Sequence, residues 1–206
     1  LVGVVAQNEA HLPMNRGKLF QRFFVMMPQI RRRDVPANVP FDVVNTALAK
    51  LGFEMQERGR LSADLGEVRG WQIPCAERKL EDVLVQAKDW RLLKSEGQLG
   101  EPVEFLHHLF LEYFAAVHLK TEIGDSRFEV LGERLFSGEW DEVIVMLAGI
   151  SDAPAALVKW LGTQVVKKQQ GRVAFMVERC WKTTDAVKDV QALGVVVDTF
   201  LAALCH

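Results

Sequence analysis

The chain has 206 residues, 49% of them apolar and 25% charged, which allows one large domain or two small ones and excludes a disordered tail or a fibrous repeat. Its 25 Lys and Arg stand against 27 Asp and Glu, a net charge of -2, so no dominant attraction to nucleic acid or to an acidic membrane is expected. Cys75, Cys180 and Cys205 are widely spaced without a Cys-x-x-Cys pair; they point to a reducing compartment rather than to a zinc clip or a redox pair.

The opening Leu1-Val2-Gly3-Val4-Val5 has no basic flank or cleavage site, and reads as a chain begun inside an element rather than as a secretory signal. Leu19, Phe20, Phe23, Phe24 and Met27 recur at helical spacing, as do Val43, Val44, Leu48, Leu51 and Met55. Two amphipathic helices are predicted, the second with Pro40 in its first turn and Gly59 as a left-handed cap. Arg31 to Pro40 is the linker between them. Gly59 to Pro74 lacks a pattern and is expected to be loop, after which Leu80, Val83, Leu84 and Ala87 restore a helical stripe.

The period then changes. Trp90 to Ser95 and Val103 to His107 read as extended runs joined by the Gly- and Pro-bearing segment Glu96 to Pro102, which predicts a β-hairpin. Phe110, Phe114, Ala115, Ala116 and Val117 follow as a helix ending near Gly124. Beyond Asp125 helical stripes recur around Phe128 to Phe136, Trp140 to Ile150, Ala155 to Val166, Val173 to Trp181 and Val187 to Leu204. Trp140, Trp160 and Trp181 fall about one helical hairpin apart, the spacing of stacked α-helical repeats. The longest apolar run, near Val143 to Ile150, is less than half of the ~20 residues of a membrane span; a soluble, cytoplasmic protein with no membrane partner is expected. The predicted core is Phe20, Phe23, Leu48, Leu51, Leu84, Phe110, Phe114, Val143, Leu147 and Trp160.

Local signatures of catalysis are missing. Gly17-Lys18 is followed by Leu19 and lacks the earlier glycine of a phosphate loop, and no Gly-x-Ser-x-Gly elbow or His-Glu-x-x-His helix occurs. No catalytic residue and no metal site are therefore predicted. His107 and His118, on one helix, would lie about 16 Å apart, too far to share a metal. His108 and Glu112 have the spacing of a surface pair. Arg31, Arg32 and Arg33, with Lys18 and Arg22 upstream, read as a solvated helix end, and Cys75 and Cys180 as structural thiols.

Two segments carry a resemblance. Leu12-Pro13-Met14-Asn15-Arg16-Gly17-Lys18-Leu19-Phe20 resembles the L-P-x-N-R-x-x-L-[YF] helix start that follows the ATPase core in NACHT-type NTPases of the STAND class, the nucleotide-switched signalling ATPases. Phe105 to Ala116 (Phe-Leu-His-His-Leu-Phe-Leu-Glu-Tyr-Phe-Ala-Ala) resembles their F-[IL]-H-x-x-F-Q-E-[YF]-[FL]-A-A signature, with Leu111 where Gln is common. The resemblance covers roughly residues 1 to 119. It implies a winged-helix domain whose histidine reaches the β-phosphate of ADP in the closed state. His107 is then the nucleotide-sensing candidate, with Phe105, Phe110, Glu112 and Phe114 supporting the signature helix.

The resulting expectation is a mainly α protein. The end of a NACHT helical subdomain (1–35) precedes a winged-helix-like domain with a small β-hairpin (36–124), followed by HEAT-like α-helical repeats (125–206). Its function would be that of a non-catalytic regulatory fragment of a signalling ATPase, closing over bound ADP and coupling sensing to nucleotide exchange. The fragment would hold no cofactor of its own, while ADP or ATP with Mg would bind the parent protein. Its partner would be the upstream ATPase core of the same polypeptide, with a protein ligand on the C-terminal repeats. The competing reading is an autonomous helical scaffold for protein–protein interaction. A DNA-binding winged helix ranks third, because the signature helix has no Arg or Lys before Lys120.

Overall fold

A computed structural model of the chain describes residues 15–31, 38–94, 102–124, 127–168 and 171–184, together with 194 and 197. The protein is mainly helical, with one small antiparallel sheet of two strands. It divides into two compact units, one of residues 22–118 and one of residues 1–21 with 119–206. These divisions fall inside two helices, whereas the boundaries read from sequence lie at 35/36 and 124/125.

In the unit of residues 22–118, the later turns of α1 (Arg16–Arg31) bury Phe23, Phe24 and Met27. Helix α2 (Phe41–Glu57) buries Val44, Leu48, Leu51 and Met55, the stripe read from sequence. Pro40 sits just before it as the N-cap, with φ -57° and ψ 146°, rather than in its first turn. The helix stops as predicted: Gly59 takes φ +60°, and the N–H of Arg60 reaches the Met55 carbonyl at 2.9 Å, answering a carbonyl that the helix leaves unpaired.

The expected loop from Gly59 to Pro74 instead contains strand β1 (Ser62–Ala63) and the short helix α3 (Leu65–Gly70), whose N-cap Asp64 accepts the Glu67 N–H at 2.9 Å. Helix α4 (Leu80–Asp89) follows, burying Val83, Leu84 and Ala87. Strand β2 (Val103–Glu104) pairs with β1 in the register Ser62 to Glu104 and Ala63 to Val103. On its other side Phe105 bridges to Leu93, and the N–H of Lys94 donates to the Glu104 carbonyl at 2.8 Å. The predicted hairpin is thus present, although residues 95–101 of its turn lie outside the described residues. Helix α5 (His108–Ile123) leads directly out of it.

Leu48, Leu51, Met55, Trp90, Leu92, Leu93, Phe24 and Phe114 are the largest fully buried side chains of this unit, each worth about 1.5–3 kcal/mol against exposure. Phe110, predicted as core, is only half-buried, because it stands in the first turn of α5 beside two exposed histidines.

In the other unit, Phe128–Phe136 forms a 3-10 segment rather than an α-helix, broken at Gly132 with φ +44°. A second 3-10 turn, Gly138–Trp140, leads into α6 (Asp141–Ile150). Every residue of α6 from Val143 onward is buried, as an all-round apolar helix should be. It packs with α7 (Pro154–Lys168) and α8 (Gly171–Thr183) around Leu157, Val158, Leu161, Val177 and Cys180. The three tryptophans do not occupy equivalent positions: Trp140 precedes α6, Trp160 lies inside α7 and Trp181 near the end of α8. Trp160, predicted as core, is half-buried with its ring against Phe128 at 6.0 Å. Apart from residues 194 and 197, the predicted stripe from Val187 to Leu204 lies outside the described residues, as do Leu12 to Met14, Arg32, Arg33 and Cys205.

Candidate nucleotide-sensing site

The site is built on the entry to α5. Its first turn presents backbone N–H groups that have no partner within the helix. His107, the residue before the helix, takes one of them: its Nδ1 accepts the N–H of Leu109 at 3.1 Å, while its carbonyl accepts the N–H of Phe110 at 2.9 Å. An imidazole whose Nδ1 accepts carries its proton on Nε2 in the neutral form. The cap therefore selects the tautomer. It leaves an Nε2–H donor on an exposed residue at a helix N-terminus, where the helix dipole favours an anion.

His108 is exposed as well, with its ring 4.4 Å from that of His107. The two imidazoles differ in what holds them. His107 caps the helix from the residue before it, whereas His108 is the first residue of α5 itself. His118 lies on the same helix, half-buried with its ring 4.5 Å from Phe53. Among the described residues no group of three His, Cys, Asp or Glu is placed to hold a metal ion.

Behind the entry stands an aromatic cluster. Phe105 is buried and stacks on Phe114 at 5.7 Å, and Phe24 of α1 lies 5.2 Å from Phe110 and 4.8 Å from both Tyr113 and Phe114. Such contacts add about 0.5–1.5 kcal/mol each to area burial and fix where α5 begins. Burial also pushes the Tyr113 phenol well above its ordinary pKa. Glu112 is half-buried in the next turn.

Ala115 and Ala116 are fully buried, and Gly52 of α2 lies against this stretch of α5. A Cβ at Gly52 would stand 2.9 Å from the Leu111 carbonyl oxygen and 3.0 Å from the Phe114 Cβ. The small residues thus let two helix backbones touch. Sequence reading identified the aromatic frame and the histidine; it missed the cap, the Phe24 anchor and Gly52. Phe24 was visible on its helical stripe, whereas a glycine inside a helix gives no local sign of the neighbour that requires it.

The first motif is structural on its own terms. Asn15 is buried and caps α1, its Oδ1 accepting the Lys18 N–H at 2.6 Å. Arg16 donates to Glu142 of α6 at 2.7 Å, and the other Glu142 oxygen takes Arg179 of α8. Gly17 admits the Met146 carbonyl, which would stand 2.7 Å from a Cβ there. The Asn-Arg-Gly run thereby closes the start of α1 onto α6. Neither a protein-family model nor a curated protein sequence matches the chain.

Proposed function

We propose that the chain is a non-catalytic regulatory region of a NACHT-like signalling ATPase, in which His107 senses the nucleotide held by the ATPase core of the same polypeptide. The order helix, strand, two helices, hairpin, helix across α2 to α5 supports a winged-helix reading of this unit. The packed α6, α7 and α8 support a reading as the first HEAT-like repeats. The observation that carries the proposal is the capped His107, whose Nδ1 is committed to Leu109 and whose Nε2–H is left as a donor for a phosphate oxygen. In the closed state that donor meets the β-phosphate of ADP, and Mg-ATP exchange releases it. Only an interaction that differs between the two states can shift their balance.

The cap decides how the test is built. His107→Ala removes both the cap and the donor, and losing a cap alone costs about 1 kcal/mol of stability. His107→Asn keeps a capping side chain while removing the imidazole. In the full-length parent, both variants are expected to release ADP about tenfold to a hundredfold faster, the value of about 1.5–3 kcal/mol for a hydrogen bond to a charged group. Only His107→Ala should also lower the melting temperature, and His108→Ala should change ADP release little. Unchanged ADP release from His107→Asn, or a larger effect from His108→Ala, overturns the assignment.

A further inference from the structure

A second site lies where the start of α1 meets α6 and α8. Glu142 of α6 stands between two arginines of different helices: its Oε1 accepts from Arg16 Nη1 at 2.7 Å, and its Oε2 accepts from Arg179 Nη2. One carboxylate thus fixes two guanidiniums, and each spends a single nitrogen on it. Neither guanidinium makes another hydrogen bond among the described residues, although each carries five N–H donors.

Arg16, Arg179 and Lys182 line a pocket of about 250 Å³ together with Glu142, Val145 and Met146. Its lining carries three cations against one carboxylate, a surplus of two positive charges. Lys182 pairs with Glu178, one turn back on α8 and outside the lining. The lysine side chain is 64% exposed, and an exposed pair of this kind exchanges readily. Val145 and Met146 are buried and give the pocket an apolar wall. The volume falls just below the range of about 300–1,000 Å³ that encloses a whole small molecule, so what fits is a head group carried by something larger.

We propose that this pocket takes the phosphate monoester of a phosphorylated peptide side chain. Near neutral pH such a group carries roughly -1.5 to -2 charges, which matches the surplus, and its three terminal oxygens suit the donors that the two guanidiniums have left. A carboxylate ligand brings a single charge and answers only half of the surplus. Glu142 alone would repel an anion; with both of its oxygens taken it acts instead as a positioning residue for the two arginines. The stem that carries the phosphate meets Val145 and Met146. What sets this site apart from an ordinary solvated basic patch is that one shared carboxylate already orders guanidiniums from two helices, so less side-chain freedom is lost on binding. The inference does not rest on the role of His107.

The test is an NMR titration of the full 206-residue chain with N-acetyl-phosphoserine methylamide at constant ionic strength. Its controls are N-acetyl-glutamate methylamide, which carries a single charge, and inorganic phosphate, which lacks the peptide stem. Expected are shifts at the Nε–H groups of Arg16 and Arg179 and at the backbone amides of Gly17 and Thr183, which also line the pocket. Each control should bind at least about threefold more weakly, and Arg179→Gln with Lys182→Gln should lower the affinity for the phosphoserine probe about tenfold. Arg16 still holds Glu142 in that variant, and its melting temperature shows whether it folds. Lys182→Gln alone, at an exposed position, should lower the affinity about threefold and keeps the test decisive if the double variant does not fold. No shift at these groups up to about 10 mM probe, equal binding of glutamate or of inorganic phosphate, or full affinity in the folded variants overturns the proposal.

Discussion

At the scale of single residues, the sequence carries chemistry that only the fold assigns. His107 reads in sequence as the end of a strand. In the structure it stands one step further on, as the cap of α5, because the last cross-strand hydrogen bond runs from Leu106 to Leu92. That single step separates a packing histidine from one with a fixed tautomer. The cysteines were more legible. Cys180 is fully buried, and that burial pushes its thiol up to about 12; Cys75 is half-buried and raised by the same cause, with a smaller contribution from Glu81. The thiolate is the nucleophile, and a raised pKa keeps the thiol protonated at neutral pH. In a Cys205→Ser background, iodoacetamide at pH 8 should therefore label Cys75 slowly and Cys180 only after denaturant is added. Labelling of Cys180 in the native protein at the Cys75 rate would contradict the burial of α8 against α6.

At the scale of elements, the long periodic segments are legible and the short ones are not. Helices α2, α4 and α5 fall where their apolar stripes place them, because each stripe spans several turns and faces one core. Strand β1 has two residues and finds its partner about forty residues downstream, so no local period can reveal it. Helix α3 has six residues, too few for a stripe, although its start was written in the sequence: Asp64 followed three residues later by Glu67 has the spacing of a capping box. The contact between α2 and α5 gives a sharp prediction at this scale. On helix propensity alone Gly52→Ala should stabilise α2 by up to about 1 kcal/mol. With a Cβ 2.9 Å from the Leu111 carbonyl oxygen, overpacking of about 1–3 kcal/mol should win instead, because a backbone atom cannot turn aside as a flexible side chain can. The midpoint in a urea titration should fall. A rise would mean that α2 and α5 do not touch as closely as the glycine implies.

At the scale of the whole molecule, composition bounds the answer and the order of elements narrows it. The near-balanced charge gives no sign of a nucleic-acid partner, and the fold puts that expectation on one helix. The sequence reading weighs the signature helix, α5, as the element that would enter a DNA groove; with the order of elements in view, a winged-helix reading gives that role instead to α4, the helix directly before the hairpin. Among its ten residues from Leu80 to Asp89 it carries Glu81, Asp82 and Asp89 against a single Lys88. Non-specific affinity for DNA comes from neutralising phosphates, and each uncompensated carboxylate on the groove-facing helix opposes it. A fluorescently labelled DNA duplex should accordingly show no anisotropy change with this chain at about 150 mM salt. The reading can fail visibly. Binding that weakens with salt in the usual logarithmic way, and strengthens when Asp82 and Asp89 are replaced by Asn, would place α4 on DNA and overturn this expectation.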